Sequence, residues 1–539
     1  MPLDSEFAQN LTAALRLRRI QDGIEMLSAA QSEIAALGPD TPDSARLLLL
    51  VAQWIDVGFG DYRFLESLLE RFPPACRRRL PLADYLRVRM AGAFACFARG
   101  DLDACIDTLE LVLNSYRDIP DPEREALAHF WKGRAHRKKG EYEASLHHIV
   151  QARELARDRD QFFTAVIQIQ ESWLLFQKGL SREAEQILDC AESILRSSDH
   201  YVSLANIESA RGRIVRRSGE YSKALEHFSR AIEIYARRDP NHLNLARTLV
   251  NAAYVRRLLA LQLRKRIDTQ ARSGRNRSAS SQGQTASHES PLSRYQHVWQ
   301  DAIEGLTRAH AIYSRHAHFD GIGKVLLNLG YLHLDRGDIE DATQEATQAY
   351  RIGAEQNDHI LMARARILQT AIENAHVEEQ TGEDVDVAVH ANRARQCSEE
   401  AMTLAQATQN RRLLAGACIA RGTTAGNDFF RDWETARRYA AEATGLIGPG
   451  ESDHLVEDLA YLKSRVVRAS GINDMLRSWS EGIVGNKSFQ QITEEFAEIV
   501  IPKVWLREDR KISRVAATLS ISPKKVRRIL RNSGSLLGQ

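Results

Sequence analysis

Three stretches of the chain resemble one another, and the pattern they share restricts the fold more than any other feature of the sequence. They span 132–155, 211–234 and 329–352, with the sequences KGRAHRKKGEYEASLHHIVQAREL, RGRIVRRSGEYSKALEHFSRAIEI and LGYLHLDRGDIEDATQEATQAYRI. Each has a glycine, a second glycine seven residues later, a large apolar or aromatic residue two positions beyond that, and an alanine twelve positions beyond the second glycine. Such self-similarity predicts a repeat architecture.

Each column shared by the three stretches has a structural explanation in a helical hairpin. The first glycine is expected inside a helix, where a neighbouring helix approaches closely, and the second is expected to end that helix in a left-handed turn. The first set is Gly133, Gly212 and Gly330, and the second is Gly140, Gly219 and Gly337. The apolar column and the alanine column would then pack the second helix against the first and against the next hairpin. These residues are Tyr142, Tyr221, Ile339, Ala152, Ala231 and Ala349.

This pattern resembles the tetratricopeptide repeat, and the best match to it is Tyr221, Ala224, Phe228 and Ala231. The expected turn glycines, Gly100, Gly140, Gly179 and Gly219, recur about every 40 residues. The resemblance implies an all-α, right-handed TPR-like α-solenoid, which we expect over residues 1–470. Stacked repeats bury neighbour against neighbour and leave a long concave surface, which usually binds a protein or peptide.

One segment interrupts the repeats. Between Gly219 and Gly337 the chain is longer than two periods, and residues 266–294 are rich in Ser, Gln, Gly and Arg with few large apolar groups. Such a composition cannot offset the entropy of ordering, so we predict a disordered insertion between two helices at about 241–265 and 294–317. Arg272, Arg275 and Arg277 would make it a protease-sensitive loop.

We find no catalytic constellation in the sequence. GIGKV at 321–325 lacks the earlier glycine and the following Ser or Thr of a phosphate-binding loop. His316 and His318 lie two residues apart, a spacing that does not place both rings on one face of a helix. The six cysteines form no CxxC pair. We therefore expect no enzyme activity, no cofactor and no metal site.

No stretch approaches the roughly 18 uninterrupted apolar residues that a membrane-spanning helix needs. We accordingly expect a cytoplasmic protein without a membrane partner.

The C-terminal end of the sequence differs from the rest in its charge. Residues 503–532 contain ten basic and two acidic residues and so carry about +8, although the net charge of the whole chain is only +2. A concentration of positive charge of this kind favours an anionic partner such as nucleic acid.

The spacing of apolar residues in this basic segment predicts two short helices joined by a tight turn. Residues 512–519 place Ile512, Val515 and Leu519 on one face, and Ser522 followed by Pro523 is typical of the start of a new helix. The arrangement resembles the C-terminal helix-turn-helix domain of the Fis family, which we expect over 488–539, after a linker at 471–487. Ser520 departs from that pattern, because the family usually has glycine there.

The resemblance implies that 523–532 is a recognition helix and that the helix at about 488–506 forms a homodimer. Base edges would be within reach of Ser522, Lys524, Lys525 and Arg528, and Arg527 also points outward. Lys511, Arg514 and Arg531 would contact phosphates.

Together these features predict a bacterial DNA-binding transcriptional regulator or adaptor whose repeat superhelix binds a protein or peptide. The alternative is a non-enzymatic scaffold or inhibitor that sequesters a partner, for example a sigma factor or an effector enzyme. In that case proteolysis in the 266–294 loop would release the partner.

Overall fold

The computed structural model describes residues 5–274, 290–379, 386–448, 450–469, 479 and 485–532. Every regular element in these ranges is helical. The chain divides into two compact units, Met1–Ala460 and Tyr461–Gln539. The all-α fold predicted from the sequence is confirmed.

The first unit opens with eight helices and continues as a series of helical hairpins. The opening helices are α1 (Ser5–Arg16), α2 (Ile20–Ala29), α3 (Gln31–Ala35), α4 (Ser44–Asp56), α5 (Tyr62–Glu70), α6 (Pro74–Arg77), α7 (Leu82–Arg99) and α8 (Leu102–Tyr116). The hairpins that follow are α9 (Pro122–Lys139) with α10 (Tyr142–Ala156), α11 (Gln161–Gln177) with α12 (Ser181–Leu195), and α13 (Tyr201–Arg217) with α14 (Tyr221–Arg238). Next come α15 (Leu243–Gly274) with α16 (Pro291–Arg315), α17 (Phe319–Arg336) with α18 (Ile339–Glu355), α19 (His359–Glu379) with α20 (Val387–Gln406), and α21 (Arg411–Ala425) with α22 (Trp433–Leu446). A further helix, α23 (His454–Ala469), includes the junction of the two units.

The predicted turn glycines end first helices in the left-handed conformation. Their φ values are 101° for Gly100, 84° for Gly140, 87° for Gly179, 76° for Gly219 and 88° for Gly337. Glycine adopts this conformation at little cost, whereas other residues lose of the order of 1 kcal/mol or more. These positions therefore fix where each hairpin turns.

The glycines inside first helices allow close packing, as the sequence pattern predicts. A Cβ on Gly212 would lie 2.8 Å from the Phe228 ring, and one on Gly133 would lie 2.9 Å from Ile149. The alanine column is fully buried at Ala152, Ala231 and Ala349. Small side chains at these positions let each hairpin approach the next.

The helices around the predicted insertion are longer than the sequence indicates. Helix α15 continues to Gly274 and α16 begins at Pro291, so the two ends of the 266–294 segment are helical. An N-terminal cap helps to start α16, because the Ser290 hydroxyl accepts the Ser293 N–H at 3.1 Å. Arg272 falls within α15, whereas Arg275 and Arg277 lie outside the described residues.

Hairpins that are far apart in the sequence contact each other. The Gln409 backbone N–H donates to the Gly140 carbonyl oxygen at 3.0 Å, and the Gln409 side-chain oxygen accepts from the Glu143 N–H at 2.7 Å. The Asp199 carboxylate accepts the Gln21 N–H at 2.9 Å. Residues far apart in sequence are thus joined across successive turns of the solenoid.

Beyond the end of α23, three helices lie in the described residues of the second unit. They are α24 (Phe489–Arg507), α25 (Ile512–Thr518) and α26 (Pro523–Asn532). Their shared core consists of Ile501, Trp505, Val515, Ala516, Val526, Ile529 and Leu530. A capping box between Ser488 and Gln491 starts α24. Most of the linker predicted at 471–487 lies outside the described residues.

Candidate functional site

The turn between α25 and α26 shows how the chain tolerates Ser520 where the resemblance expects glycine. Ser520 adopts a left-handed φ of 50°. Its N–H donates to the Ala517 oxygen at 3.3 Å, and the Ile521 N–H donates to the Ala516 oxygen at 3.0 Å. These two bonds form a Schellman ending, which satisfies carbonyl groups that the helix end leaves without partners. Ser520 therefore makes the turn that glycine usually makes.

Helix α26 is held by its apolar face and presents its basic face outward. Val526, Ile529 and Leu530 are fully buried. The Ser522 hydroxyl accepts the Lys525 N–H at 3.2 Å and so caps the start of the helix. The predicted DNA-contacting residues that are exposed are Lys511, Arg514, Ser522, Lys524, Arg527, Arg528 and Arg531, and Lys525 is half-buried.

Two of the exposed arginines in this unit already have acidic neighbours. Arg528 forms an ion pair with Glu494 of α24, and Arg514 forms one with Asp509 at 3.0 Å. Among the described residues, no carboxylate lies within 4 Å of Lys524, Arg527 or Arg531. We define these three residues as the open basic stripe of α26. Their spacing of three and four residues places them on one side of the helix.

The first unit contains a cavity of about 490 Å³ that the sequence did not reveal. Its wall comes mainly from α1, from α4 and from first helices of successive hairpins, namely α9, α11, α13 and α15. Nine arginines and three carboxylates line it, together with apolar and amide side chains. We call it the arginine cavity.

Four of the nine cavity arginines are neutralised by ion pairs. The pairs join Arg16 to Glu123, Arg87 to Asp84, Arg124 to Asp121 and Arg134 to Asp56. Within the described residues, the other five arginines have no carboxylate within 4 Å. They are Arg18, Arg46, Arg137, Arg159 and Arg247.

Burial and mutual repulsion act on these cations. Burial, followed by the charges of Arg247 and Arg134, lowers the pKa of Arg137 to about 9. Burial also lowers the pKa of Arg213 well below its ordinary value, and Arg247 and Arg137 add to the effect. Guanidinium groups nevertheless remain protonated at neutral pH. Arginines thus outnumber the carboxylates in and next to this cavity.

A signal for part of this cavity is present in the repeats. Arginine follows the internal glycine by one and by four positions in two of the three stretches, giving Arg134 and Arg137 after Gly133, and Arg213 and Arg216 after Gly212. Only the first of these two pairs lines the cavity. The remaining cavity residues come from positions without a shared pattern, so only the tertiary structure identifies them.

His316, His318 and Asp320 each have a partner within the fold. The His318 Nδ1 accepts the Gly321 N–H at 3.0 Å, Asp320 pairs with Lys324 at 2.7 Å, and the His316 Nε2 contacts the Asn241 oxygen at 3.0 Å. No group of three or more potential metal ligands occurs in the described parts of the chain. Within the same ranges, no helix is long and apolar enough to cross a membrane.

The tetratricopeptide repeat family matches residues 203–262, which include α14 and most of α13. Together with the hairpin geometry, this match defines the first unit as a TPR-like α-solenoid. No curated protein shows significant sequence similarity to the chain.

Solved structures also match the chain in fold. A crystal structure of a Rap protein complexed with Competence and Sporulation Factor is 12% identical, covering 75% of this chain and 98% of that chain with a TM-score of 0.51. The apo form of the quorum sensor NprR from B. thuringiensis is 14% identical, with coverage of 82% and 97% and a TM-score of 0.43. The likeness to the Rap protein shows a shared solenoid fold.

Proposed function

We propose that this protein is a DNA-binding transcriptional regulator or adaptor. In this proposal the TPR-like array binds a protein or peptide partner and the C-terminal unit contacts DNA as a helix-turn-helix. The role is non-enzymatic, and the setting is the bacterial cytoplasm. Binding of the partner would alter how the DNA-contacting unit is presented or paired.

The observation that carries the DNA proposal is the open basic stripe of α26. Lys524, Arg527 and Arg531 are exposed, while the opposite side of the same short helix is buried in the core of the second unit. A rigid helix with free Lys and Arg on one side can enter the major groove and contact phosphates and base edges. A basic surface of this form supports DNA as the partner.

Two features support the remaining parts of the proposal. The Rap protein, which shares the solenoid fold, was crystallised with Competence and Sporulation Factor, so an array of this shape can hold a partner. On α24, Phe489 is 85% exposed and Phe496, one heptad later, is 48% exposed. Exposed aromatic residues on one helical face favour association with another surface, which supports a homodimer through α24.

Genomic selection with the full-length protein tests the DNA proposal. Bacterial genomic fragments would be bound at about 150 mM salt, which screens weak charge attraction, and the affinity for enriched fragments measured by fluorescence anisotropy. We expect Lys524→Gln with Arg527→Gln to weaken DNA binding at least about tenfold. We also expect the slope of log affinity against log salt concentration to become shallower by about two, because two fewer cations would contact phosphates. The control is Arg182→Gln with Arg237→Gln, which removes two exposed arginines from the array.

The outcome also separates the two classes of function. If no fragment is enriched, or if both double variants bind equally well, the DNA-contacting role is wrong. Retention of a protein partner by a chain that binds no DNA would favour the scaffold or inhibitor. In that case, cleavage near Arg272, Arg275 and Arg277 should release the partner.

A further inference from the structure

We propose that the arginine cavity binds a short peptide segment bearing acidic side chains, with Arg18, Arg137 and Arg247 as its carboxylate-binding groups. The inference rests on the proposed function, because it specifies the chemistry of the partner that the array holds. It also names the residues that would select that partner.

Charge is the first argument. Nine arginines and three carboxylates line the cavity, and Asp84 and Asp121 pair with two of these arginines from outside the lining, which leaves an excess of four positive charges. The fork of an arginine side chain matches the two oxygens of a carboxylate, and such charge-assisted pairs are roughly twice as strong as neutral hydrogen bonds. An anionic occupant would neutralise charge that the lining residues leave unbalanced.

Three of the unpaired arginines are fixed in position by other contacts. Arg18 lies over the Phe163 ring at 5.7 Å and Arg137 lies over the Trp173 ring at 4.9 Å. Arg247 donates to the Asn206 side-chain oxygen at 2.9 Å. Despite this ordering, the Nε atom of each of these three arginines is buried without a hydrogen-bond partner. Pre-positioned donors of this kind bind a ligand with little loss of side-chain entropy.

The cavity also offers an acceptor that has no donor. The Gln170 side-chain oxygen is buried and makes no hydrogen bond. A buried acceptor left unpaired is unfavourable, so an occupant with N–H groups is favoured. A peptide provides backbone N–H donors together with carboxylate acceptors, whereas inorganic phosphate at neutral pH provides mainly acceptors.

The aromatic groups of the wall argue against a nucleic acid base. Proteins usually recognise unpaired bases by stacking them on aromatic faces. In this cavity Phe163 is covered by Arg18, and Phe130 is covered by Arg134 at 5.2 Å. Apolar side chains such as Leu50 and Val166 also line the wall, which suits the aliphatic parts of a peptide.

The size of the cavity limits its occupant. At about 490 Å³ it falls within the range of sites for small ligands, roughly 300–1,000 Å³. It can therefore enclose a few residues of an extended segment but no folded domain. The ligand is then either a free peptide or an exposed segment of a larger partner.

Competitive retention of two peptide pools tests this inference. The probes are a hexapeptide pool with Asp or Glu fixed at two positions and a matched pool with Asn or Gln at those positions. Each is equilibrated with full-length protein and quantified by mass spectrometry. We expect the wild-type protein to retain the acidic pool at least about tenfold better, and to lose this preference as salt increases.

Substitutions assign the preference to the cavity. Arg137→Gln with Arg247→Gln should abolish it, while Arg182→Gln with Arg237→Gln removes the same charge from exposed positions and should retain it. Circular dichroism and thermal melting monitor folding, but the comparison of the two pools on the wild-type protein does not depend on any variant. Equal retention of the two pools by the wild-type protein would overturn the inference.

Additional measurements distinguish other kinds of ligand. Inorganic triphosphate or ATP that binds more tightly than every acidic peptide at equal salt would replace the peptide assignment with a phosphate ligand. Preferential retention of the amide pool would overturn the acidic chemistry while leaving a peptide-binding array in place. DNA binding is measured on the same preparations, so failure of the peptide assignment can be told apart from failure of the proposed regulator.

Discussion

Gly219 and Ser452 contact each other across successive turns of the solenoid. A Cβ on Gly219 would lie 2.9 Å from the Ser452 carbonyl oxygen. The Ser452 N–H donates to the Arg217 oxygen at 2.9 Å, and its hydroxyl donates to the Ser218 oxygen at 2.7 Å. The glycine that ends α13 thus serves two purposes, because it permits the left-handed turn and leaves room for a distant segment.

Substitution of two turn glycines separates these purposes. Gly219→Ala should destabilise the array more than Gly179→Ala, because Gly179 has a similar φ of 87° and a Cβ added there would meet nothing within 4 Å. We expect the left-handed conformation to lower the free energy of unfolding by about 1–2 kcal/mol in both variants. The collision with Ser452 should lower it by about 1–3 kcal/mol more in Gly219→Ala. Urea denaturation followed by circular dichroism measures the difference. An equal decrease in the free energy of unfolding in both variants would show that the Ser452 segment moves away from the new side chain at little cost.

Acid should weaken the array in part through His318. Burial lowers the pKa of His318 to about 4, and its Nδ1 accepts a hydrogen bond from the Gly321 N–H. The neutral form is therefore favoured in the folded state. Stability from this group is complete above pH 6.5 and is lost as the pH falls towards 4.

Asparagine at position 318 provides the matched test of that titration. His318→Asn keeps an N-cap acceptor but has no group that titrates. Between pH 7 and pH 4.5 the free energy of unfolding should fall by of the order of 1–2 kcal/mol more in the wild-type protein than in the variant. Urea denaturation at both pH values measures this difference. Other histidines titrate in both proteins and cancel in the comparison. Identical losses would contradict a role for His318.

Ser520→Gly should stabilise the second unit. The left-handed φ of 50° costs serine of the order of 1 kcal/mol, and glycine removes that cost. Hydrogen exchange of peptides from 489–532 would report slower exchange in the variant. Ser513→Gly, at an exposed position in the first turn of α25, should have the opposite effect because glycine has a lower helix propensity than serine. Faster exchange in Ser520→Gly would count against the turn described above.

Glu494→Gln should strengthen DNA binding if the proposed function is correct. The substitution removes the carboxylate that pairs with Arg528 and so frees this cation for DNA. We expect about a two- to fivefold gain in affinity by fluorescence anisotropy, since exposed ion pairs contribute up to about 1 kcal/mol. Glu498→Gln on the same helix removes an equal charge without freeing Arg528. A gain of the same size in both variants would show that the loss of one negative charge, and not the release of Arg528, increases the affinity for DNA.

Much of the fold was predictable because the signals that set it are local. The turn glycines, the alanine column and the period of about 40 residues located the hairpins, since each depends only on neighbouring residues. The three C-terminal helices were predictable for the same reason. The helices next to the insertion were underestimated, because α15 and α16 extend into a segment whose composition alone suggests disorder.

The sequence by itself determined the repeat, its turns and the basic face of α26, because helical periodicity and glycine geometry act over a few residues. Only the tertiary structure decided which charges meet. Small rotations between hairpins add up along the solenoid, so they place Ser452 against Gly219 and bring Arg18, Arg137 and Arg247 to one cavity. The accumulated rotation cannot be predicted from any local sequence pattern. For this reason only the tertiary structure identified the candidate partner site.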